Sequence, residues 1–394
     1  MTDSVFVNTT TANIVLKATE GQTVEQVLEA NSLPRNLFQC YLKEGNGNTS
    51  CIPSNVVVTN FNSDSKIIAR CIRNIDFDKI FPKNIHITSA ETPITTVENV
   101  SLEEYNLQKV VVEITQSDAQ QLVQQKVLDY LKKYSTSQKI VAGISGGGDS
   151  NTLVKAIKAN NEKELICFTL VFQDIWDARA TSRASQLCYE NEVKHIILYE
   201  NDIESKLSMK GKLKDCYADF CKIFGDNAPE FFATFLVAKV ARVLCKEYNA
   251  DEFCFGYNRE DVLAELIFSI INGQKPLQIP TRQFGEYKLL MPLWDIPKRV
   301  LDACYPKFSF DNYDERIIEA TIQRNNIYYL SHMLDNIFPN FGQHLMNGLL
   351  KILNDTNWGK LEYNRSFDTF STSNYDNKGK TEVENLISQY FDTK

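Results

Sequence analysis

The spacing of hydrophobic positions changes along the chain, and the first part reads as strands around one helix. SVFVNT and ANIVLKA are short apolar runs separated by a polar turn, a pattern typical of a β-hairpin. TVEQVLEAN places Val24, Val27 and Leu28 on one face of a helix. Thr23 and Gln26 have the spacing of a capping box at its start. LFQCYLKEG, NVVV and SKIIARCIR predict further strands.

The order strand, strand, helix, strands over residues 1–75 resembles a β-grasp (ubiquitin-like) domain, as in sulfur carriers and TGS-type domains. A sulfur carrier needs a free C-terminal Gly-Gly, whereas the last strand here continues into RCIRNIDFDK. We therefore expect this domain to dock a partner or RNA rather than to carry sulfur. Residues 76–135 are interpreted as a connector that ends in an amphipathic helix, SDAQQLVQQKVLDYLKKY.

From residue 136 to 305 short apolar strands alternate with helices. The predicted strands are KIVAGI, LICFTLVF, HIILYE and EFCFGY, and helical patterns separate them. Pro229 and Glu230 suit the first turn of the longest helix, and Gly273 suits the end of the next. This alternation predicts an α/β fold with a doubly wound parallel sheet, which binds ligands at the carboxyl ends of its strands.

Residues 306–394 carry weaker signals. Residues 306–355 read as a helical region, with FGQHLMNGLLKIL as its strongest segment. Residues 356–394 are rich in Ser, Asn and Asp, and we expect a polar, mobile tail, in which VENLISQYF could form a short final helix.

Composition narrows the class of protein. Hydrophobic residues make up 43% of the 394, no apolar run reaches the length of a membrane span, and the N-terminus lacks the layout of a signal peptide, so we expect a cytoplasmic protein without membrane contact. A net charge of −8 weighs against broad nucleic-acid binding, although four lysines in SKLSMKGKLK leave a local basic face open. The ten cysteines include no CxxC pair and are typical of reduced core thiols. Cys254 fits a buried strand thiol, whereas Cys216 and Cys221 leave a functional role open.

The candidate chemistry lies in SGGGDS, which follows the first strand of the α/β region and opens a helix. Backbone N–H groups and the helix dipole can hold phosphate at such a position, and glycines let the backbone approach it. The loop is not a Walker A sequence, because the G-x-x-x-x-G-K-[ST] spacing and its lysine are absent. A carboxylate beside phosphates, such as Asp149, can hold Mg²⁺ or can simply cap the helix.

SGGGDS resembles the SGGxDS loop of the PP-loop ATP pyrophosphatases, and the resemblance covers about residues 136–305. FGYNREDVLAELIFSIINGQ is similar to the GHxxDDxxET segment of the tRNA-modifying branch, which includes 2-thiocytidine and lysidine synthetases. Asp261 and Glu265 match that segment, whereas Tyr257 stands in place of its histidine and Glu260 in place of its first aspartate. LLMPLWDIPKRVLDAC resembles the RPL…V..KEI segment of the same branch.

The resemblance implies a set of site residues. Asp149 and Asp261 would hold Mg²⁺ and act in catalysis, although Asp261 also fits a first-turn helix acid. Arg259 would neutralise charge on the α-phosphate or lie in solvent. Val171 and Phe172 would line the adenine or be plain core. The expected ATP-binding residues are Ser145, Gly146, Gly147, Gly148, Asp149, Ser150, Val171, Phe172, Gly256 and Tyr257.

The resulting functional hypothesis is an enzyme that converts ATP to AMP and pyrophosphate and thereby adenylates a substrate. The branch favours an RNA base, in tRNA, for thiolation or a related substitution by a sulfur or nitrogen donor protein. An amide-forming ligase for a carboxyl substrate and a non-catalytic nucleotide-binding partner remain alternatives. The expected cofactors are ATP and Mg²⁺, without an iron–sulfur cluster because the paired CxxC motifs are missing. A homodimer is compatible with the sequence.

Overall fold

The protein is described here by a computed structural model. It describes residues 3–8, 13–31, 33, 38–46, 49–71, 87–88, 94–98, 110–159, 163–172, 175, 178–305, 308, 327–328, 330–332, 341–353, 361–372 and 377–392.

A mixed sheet forms the N-terminal unit. Its strands are β1 (Ser4–Asn8), β2 (Asn13–Lys17), β3 (Phe38–Lys43), β4 (Thr49–Ile52), β5 (Lys66–Cys71) and β6 (Ile87–Thr88), in the order β4-β3-β5-β1-β2-β6. β1 pairs antiparallel with β2 and parallel with β5. Helix α1 (Val24–Ala30) follows β2 and begins with the expected capping box between Thr23 and Gln26. This arrangement confirms the predicted β-grasp fold.

The helix and sheet of this unit share one apolar core. Val24, Val27 and Leu28 are buried against strand residues that include Val5 and Ile67. The strand predicted at NVVV is wrong, because residues 58–60 form a 3-10 turn and only Val57 makes an isolated bridge. The fourth strand is instead the more polar TSCI of β4, whose pairing with β3 determines its conformation.

Two further strands and a helix precede the α/β unit. β7 (Ile94–Glu98) and β8 (Val110–Ile114) pair antiparallel. α2 (Gln116–Tyr134) begins with a capping box between Thr115 and Asp118, and it buries Val123 and Val127. The predicted amphipathic helix at residues 117–134 therefore exists.

A second six-stranded sheet carries the α/β unit. Its strands are β9 (Lys139–Gly143), β10 (Glu164–Val171), β11 (Lys194–Tyr199), β12 (Glu252–Cys254), β13 (Thr281–Phe284) and β14 (Tyr287–Leu290), in the order β11-β10-β9-β12-β14-β13. The first five strands in this order are parallel, and β13 is antiparallel to β14. The chain starts at the centre of the sheet and winds outward in both directions, which confirms the predicted doubly wound fold.

Helices cover both faces of this sheet. They are α3 (Gly148–Lys158), α4 (Arg179–Glu190), α5 (Glu200–Lys206), α6 (Leu213–Phe224), α7 (Ala228–Tyr248), α8 (Arg259–Ile271) and α9 (Lys298–Cys304). Successive residues of β9 enter different cores, because Ile140 and Ala142 pack in one cluster and Val141 in the other. Parallel strands covered on both faces are expected to be largely apolar and buried along most of their length, as β9 and β10 are.

The C-terminal region differs from expectation. α10 (Phe341–Leu353) lies in the region predicted as helical, much of which falls outside the described residues. Within the tail predicted as polar and mobile, the described residues are instead folded, with β15 (Leu361–Asn364), β16 (Thr369–Thr372) and α11 (Asn377–Tyr390). The reason is that Leu386, Ile387 and Phe391 are buried in the larger core of the α/β unit. Among the described residues, no helix is both long and apolar enough to cross a membrane.

Candidate nucleotide site at the carboxyl edge of the sheet

The glycine loop connects the central strand β9 to helix α3. Gly146 has φ +73°, and a Cβ there would lie 2.6 Å from the backbone N of Ala184 and 2.8 Å from Cβ of Arg183 on α4. Only glycine tolerates both the left-handed backbone and this close packing. α4 therefore fixes the back of the loop.

The loop is held in shape by its own polar groups. The backbone N–H of Ser145 donates to Oγ of Ser150 at 3.0 Å, and the two hydroxyl oxygens are 3.3 Å apart. The buried Asn151 amide donates to the carbonyls of Gly146 and Gly147 at 3.0 and 3.2 Å. Gly147 is the N-cap of α3 and supplies no side chain, so the first turn of this helix has no side-chain cap. This leaves a preformed helix N-terminus of the kind that binds anions.

Asp149 lies in the first turn of α3 and contacts residues from two neighbouring strand ends. Its Oδ1 is 2.6 Å from Nζ of Lys298, and its Oδ2 accepts from the Asn258 amide at 3.2 Å. Asn258 follows β12, and Lys298 follows β14. Gly256 also approaches closely, since a Cβ on it would lie 3.3 Å from Cβ of Asp149. Three adjacent parallel strands thus converge on one carboxylate.

Asp261 occupies the matching position on α8. It forms a capping box with Asn258, in which the Asn258 N–H donates to the Asp261 carboxylate at 3.1 Å and the Asp261 N–H donates to Asn258 Oδ1 at 3.0 Å. The Tyr328 hydroxyl donates to its other oxygen at 2.9 Å. Burial, together with the negative charge of Asp149, raises the pKa of Asp261 to about 6. Two carboxylates that repel one another in this way are suited to share a cation.

Lys298 is the residue that sequence reasoning did not assign. Its ammonium group contacts both Asp149 and Asp302, with Nζ 3.0 Å from Oδ1 of Asp302. Burial acts to lower the pKa of Lys298, but the charges of the two carboxylates outweigh it and raise the pKa. The signal available in the sequence was a Lys and an Asp at i, i+4 spacing on a helix that follows a strand.

Arg259 and Glu260 form a buried ion pair behind the site. Arg259 Nη2 lies 2.6 Å from Glu260 Oε1, and the two side chains are only 4% and 5% exposed. Oε2 of Glu260 accepts from the backbone N–H of Lys298 at 2.6 Å. So placed, Arg259 supports Glu260, which fixes the start of α9, and it does not lie in solvent. Its predicted contact with the α-phosphate stays a prediction.

For the remaining predicted residues, the structure shows mainly contacts with the core. Val171 ends β10 and Phe172 follows it, and they are only 4% and 0% exposed. Phe172 packs edge-on against Tyr217, with ring centroids 5.5 Å apart. Their placement fits the core interpretation. Tyr257 is partly buried between two hydrophobic clusters, and Glu265 forms an ion pair with the buried Arg282 at 2.5 Å.

The candidate cysteines divide by burial. Cys254 is buried in β12, and burial raises the pKa of its thiol. Cys216 is also buried, and burial raises its pKa to about 12, which disfavours a nucleophilic thiolate. Cys221 is partly exposed. In the described part of the chain, no group of three or more His, Cys, Asp and Glu side chains could hold a metal ion, and the expectation about iron–sulfur clusters stays a prediction.

The local basic run is largely neutralised. Nζ of Lys210 lies 3.2 Å from an Asp392 oxygen, and Nζ of Lys212 lies 2.9 Å from a Glu204 oxygen. Lys206 forms an ion pair with Glu247. These pairs fit a solvated, charge-balanced surface.

Comparisons with known proteins give matches among solved structures alone. No family model and no curated protein matches the chain. Among solved structures, the U34-tRNA thiolase NcsA from Methanococcus maripaludis with its [4Fe-4S] cluster is 17% identical, with a TM-score of 0.48, over 64% of this chain and 84% of that chain. The NH3-dependent NAD synthetase from Campylobacter jejuni is 15% identical, with a TM-score of 0.36, over 63% and 98%. An NMN synthetase from Francisella tularensis is 15% identical, with a TM-score of 0.34, over 60% and 96%.

Likenesses at this level transfer no activity, substrate or cofactor to this chain. The fold stands on the strand order and on the position of the SGGGDS loop between the central strand and its helix. That strand order and that loop position agree with the doubly wound fold that the resemblance to the PP-loop ATP pyrophosphatases implies.

Proposed function

We propose that the protein binds Mg·ATP at the glycine loop and adenylates a substrate, releasing pyrophosphate. The observation that carries the proposal is that Asp149 and Asp261 both contact Asn258 beside a glycine-rich helix N-terminus at the carboxyl edge of the sheet. In doubly wound folds this edge is where ligands bind. Phosphates would accept from the loop N–H groups, and the acidic pair would hold the metal.

The chain's own residues suit the requirements of adenylation. The bound metal would stabilise negative charge that develops on the phosphates. Asn258 orients Asp149 with its side chain and Asp261 with its backbone N–H. The loop, tied by Ser150 and Asn151, would hold the pyrophosphate portion with little reorganisation.

We further propose that the adenylated substrate is an RNA base, in tRNA, and that a sulfur or nitrogen donor protein supplies the nucleophile. Support comes from the resemblance of residues 255–274 and 289–304 to the tRNA-modifying branch. The β-grasp unit then serves as a docking element for the RNA or the donor.

The test is pyrophosphate release from ATP and Mg²⁺, with and without bulk tRNA. Wild type should release pyrophosphate faster with tRNA, and Asp149→Asn should lose this release by at least 100-fold. Release that ignores tRNA would favour the amide-forming ligase. If ATP binds but neither AMP nor pyrophosphate is formed, the remaining interpretation is a non-catalytic nucleotide-binding partner.

A matched pair of variants separates capping from chemistry at Asp261. Asp118 and Asp261 both stand at the third position of a capping box, on α2 and α8 respectively. Asparagine at either position keeps an oxygen that can accept from the N-cap N–H and removes only the negative charge at the helix N-terminus, which should cost no more than about 0.3–1 kcal/mol of stability. Asp261→Asn should in addition reduce pyrophosphate release at least tenfold, whereas Asp118→Asn should leave it unchanged. Equal activity in the two variants would remove Asp261 from the site.

A further inference from the structure

Lys298 lies where a cation bound to Asp149 would lie. Its Nζ is 2.6 Å from Asp149 Oδ1, and the Asn258 amide lies 3.2 Å from Oδ2. Both carboxylate oxygens of Asp149 are therefore engaged in this state. A divalent cation that used Oδ1 would have to displace an ammonium group of like charge.

Lys298 has a second carboxylate available. Asp302 lies 3.0 Å from the same Nζ and is only 1% exposed. The backbone of Lys298 is held separately, because its N–H donates to Glu260 at 2.6 Å and Glu260 is paired with Arg259. The side chain can thus leave Asp149 while its backbone stays in place and its charge stays paired.

We infer that Lys298 is a positioning residue that keeps free divalent metal away from Asp149 and yields to metal that arrives with the nucleotide. The phosphates of ATP supply the negative charge that offsets an added cation, whereas free metal brings none. Lys298 then rests on Asp302. This inference rests on the proposed function, since it takes Asp149 as a metal-binding carboxylate.

The test is Mn²⁺ binding to the nucleotide-free protein, measured by electron paramagnetic resonance with Mn²⁺ in place of Mg²⁺. Lys298→Met should bind Mn²⁺ at least tenfold more tightly than wild type, and Lys298→Arg should restore weak binding. The matched control is Lys288→Met, because Lys288 forms a comparable pair with buried Glu252, at 2.8 Å, at the opposite end of β14. Wild-type affinity in a folded Lys298→Met protein would overturn the inference.

A second variant should weaken Mg·ATP binding, whereas Lys298→Met should tighten Mn²⁺ binding. Asp302→Asn removes the alternative partner of Lys298, so Mg·ATP binding measured by calorimetry should weaken several-fold. Unchanged Mg·ATP affinity in Asp302→Asn would also overturn the inference. Mn²⁺ binding needs neither ATP hydrolysis nor RNA. If Lys298→Met binds Mn²⁺ more tightly but wild type releases no pyrophosphate, the proposed adenylation alone is refuted. If wild type releases pyrophosphate but Lys298→Met binds Mn²⁺ no more tightly than wild type, the inference about Lys298 alone is refuted.

Discussion

Replacing Gly146 by alanine tests whether α4 fixes the glycine loop. The residue has φ +73°, and an added Cβ would lie 2.6 Å from the backbone N of Ala184 and 2.8 Å from Cβ of Arg183. The left-handed conformation costs an alanine about 1–2 kcal/mol. Overpacking against helix backbone, which cannot rotate away, adds about 1–3 kcal/mol. We therefore expect a total cost of about 2–5 kcal/mol if the loop keeps its place.

The loop can also escape the clash by moving, and the loss then appears in ATP binding. If the loop moves, the cost is no longer seen as lost folding stability, because it arises only when ATP binding requires the original loop conformation. Each 1.4 kcal/mol of this cost lowers the affinity for ATP about tenfold. Urea unfolding and calorimetric titration with ATP together measure both losses. Their sum for Gly146→Ala should reach at least about 2 kcal/mol.

Gly273→Ala is the matched control for this experiment. Gly273 has φ +66°, and nothing lies within 4 Å of the added Cβ. It should lose about 1–2 kcal/mol of stability and keep its ATP affinity. If Gly146→Ala matched Gly273→Ala in both measurements, the proposed packing of the loop against α4 would be incorrect.

Three other predictions concern charge and burial. Asp368→Asn should destabilise the fold by about 3–5 kcal/mol, because it leaves Arg242 buried without its carboxylate. Burial acts to raise the pKa of Asp368, but the charges of Arg242 and Lys239 and the hydrogen bond from Tyr363 together outweigh it and lower the pKa, so the stability from this pair persists above pH 3.8 and is lost as the pH falls through the lowered pKa; urea midpoints across pH should show this slope only in wild type. Iodoacetamide should modify Cys221 before Cys216, as peptide mass spectrometry will reveal, because the Cys216 thiol is buried with a pKa raised to about 12. Burial lowers the pKa of His195, so wild-type stability should decline as pH falls below 6.5, while thermal unfolding of His195→Gln should lack that part of the decline.

The fold could be predicted because its signals are local. Alternating short apolar strands and helices specify a doubly wound sheet whatever the details of packing, and the capping box at Thr23 is visible as a spacing. The glycine loop could also be predicted, since its position between a strand and a helix is read from neighbouring residues. The strand predicted at NVVV is wrong because an apolar run alone does not determine strand pairing. β4 is a strand because it pairs with β3.

The folded tail could not be predicted from composition. Polar residues dominate the mean hydropathy of the tail. Leu386, Ile387 and Phe391 nevertheless pack in a core formed by elements much earlier in the sequence. The buried ion pair of Asp368 with Arg242 likewise joins residues 126 positions apart. Such contacts depend on the tertiary arrangement, which local periodicity does not encode.

The departures at residues 257–260 carry a different meaning once the contacts are known. Sequence alone left open whether Glu260, in place of an aspartate, signals lost chemistry. The Glu260 side chain is 5% exposed and accepts from Lys298 N–H while paired with Arg259, so it holds α9 in place. Glu260 thus holds the backbone of Lys298, and Asp261, whose pKa is raised by burial and by the charge of Asp149, is present beside it. The glutamate at position 260 therefore bears on how the backbone of Lys298 is held and leaves Asp149 and Asp261 both in place.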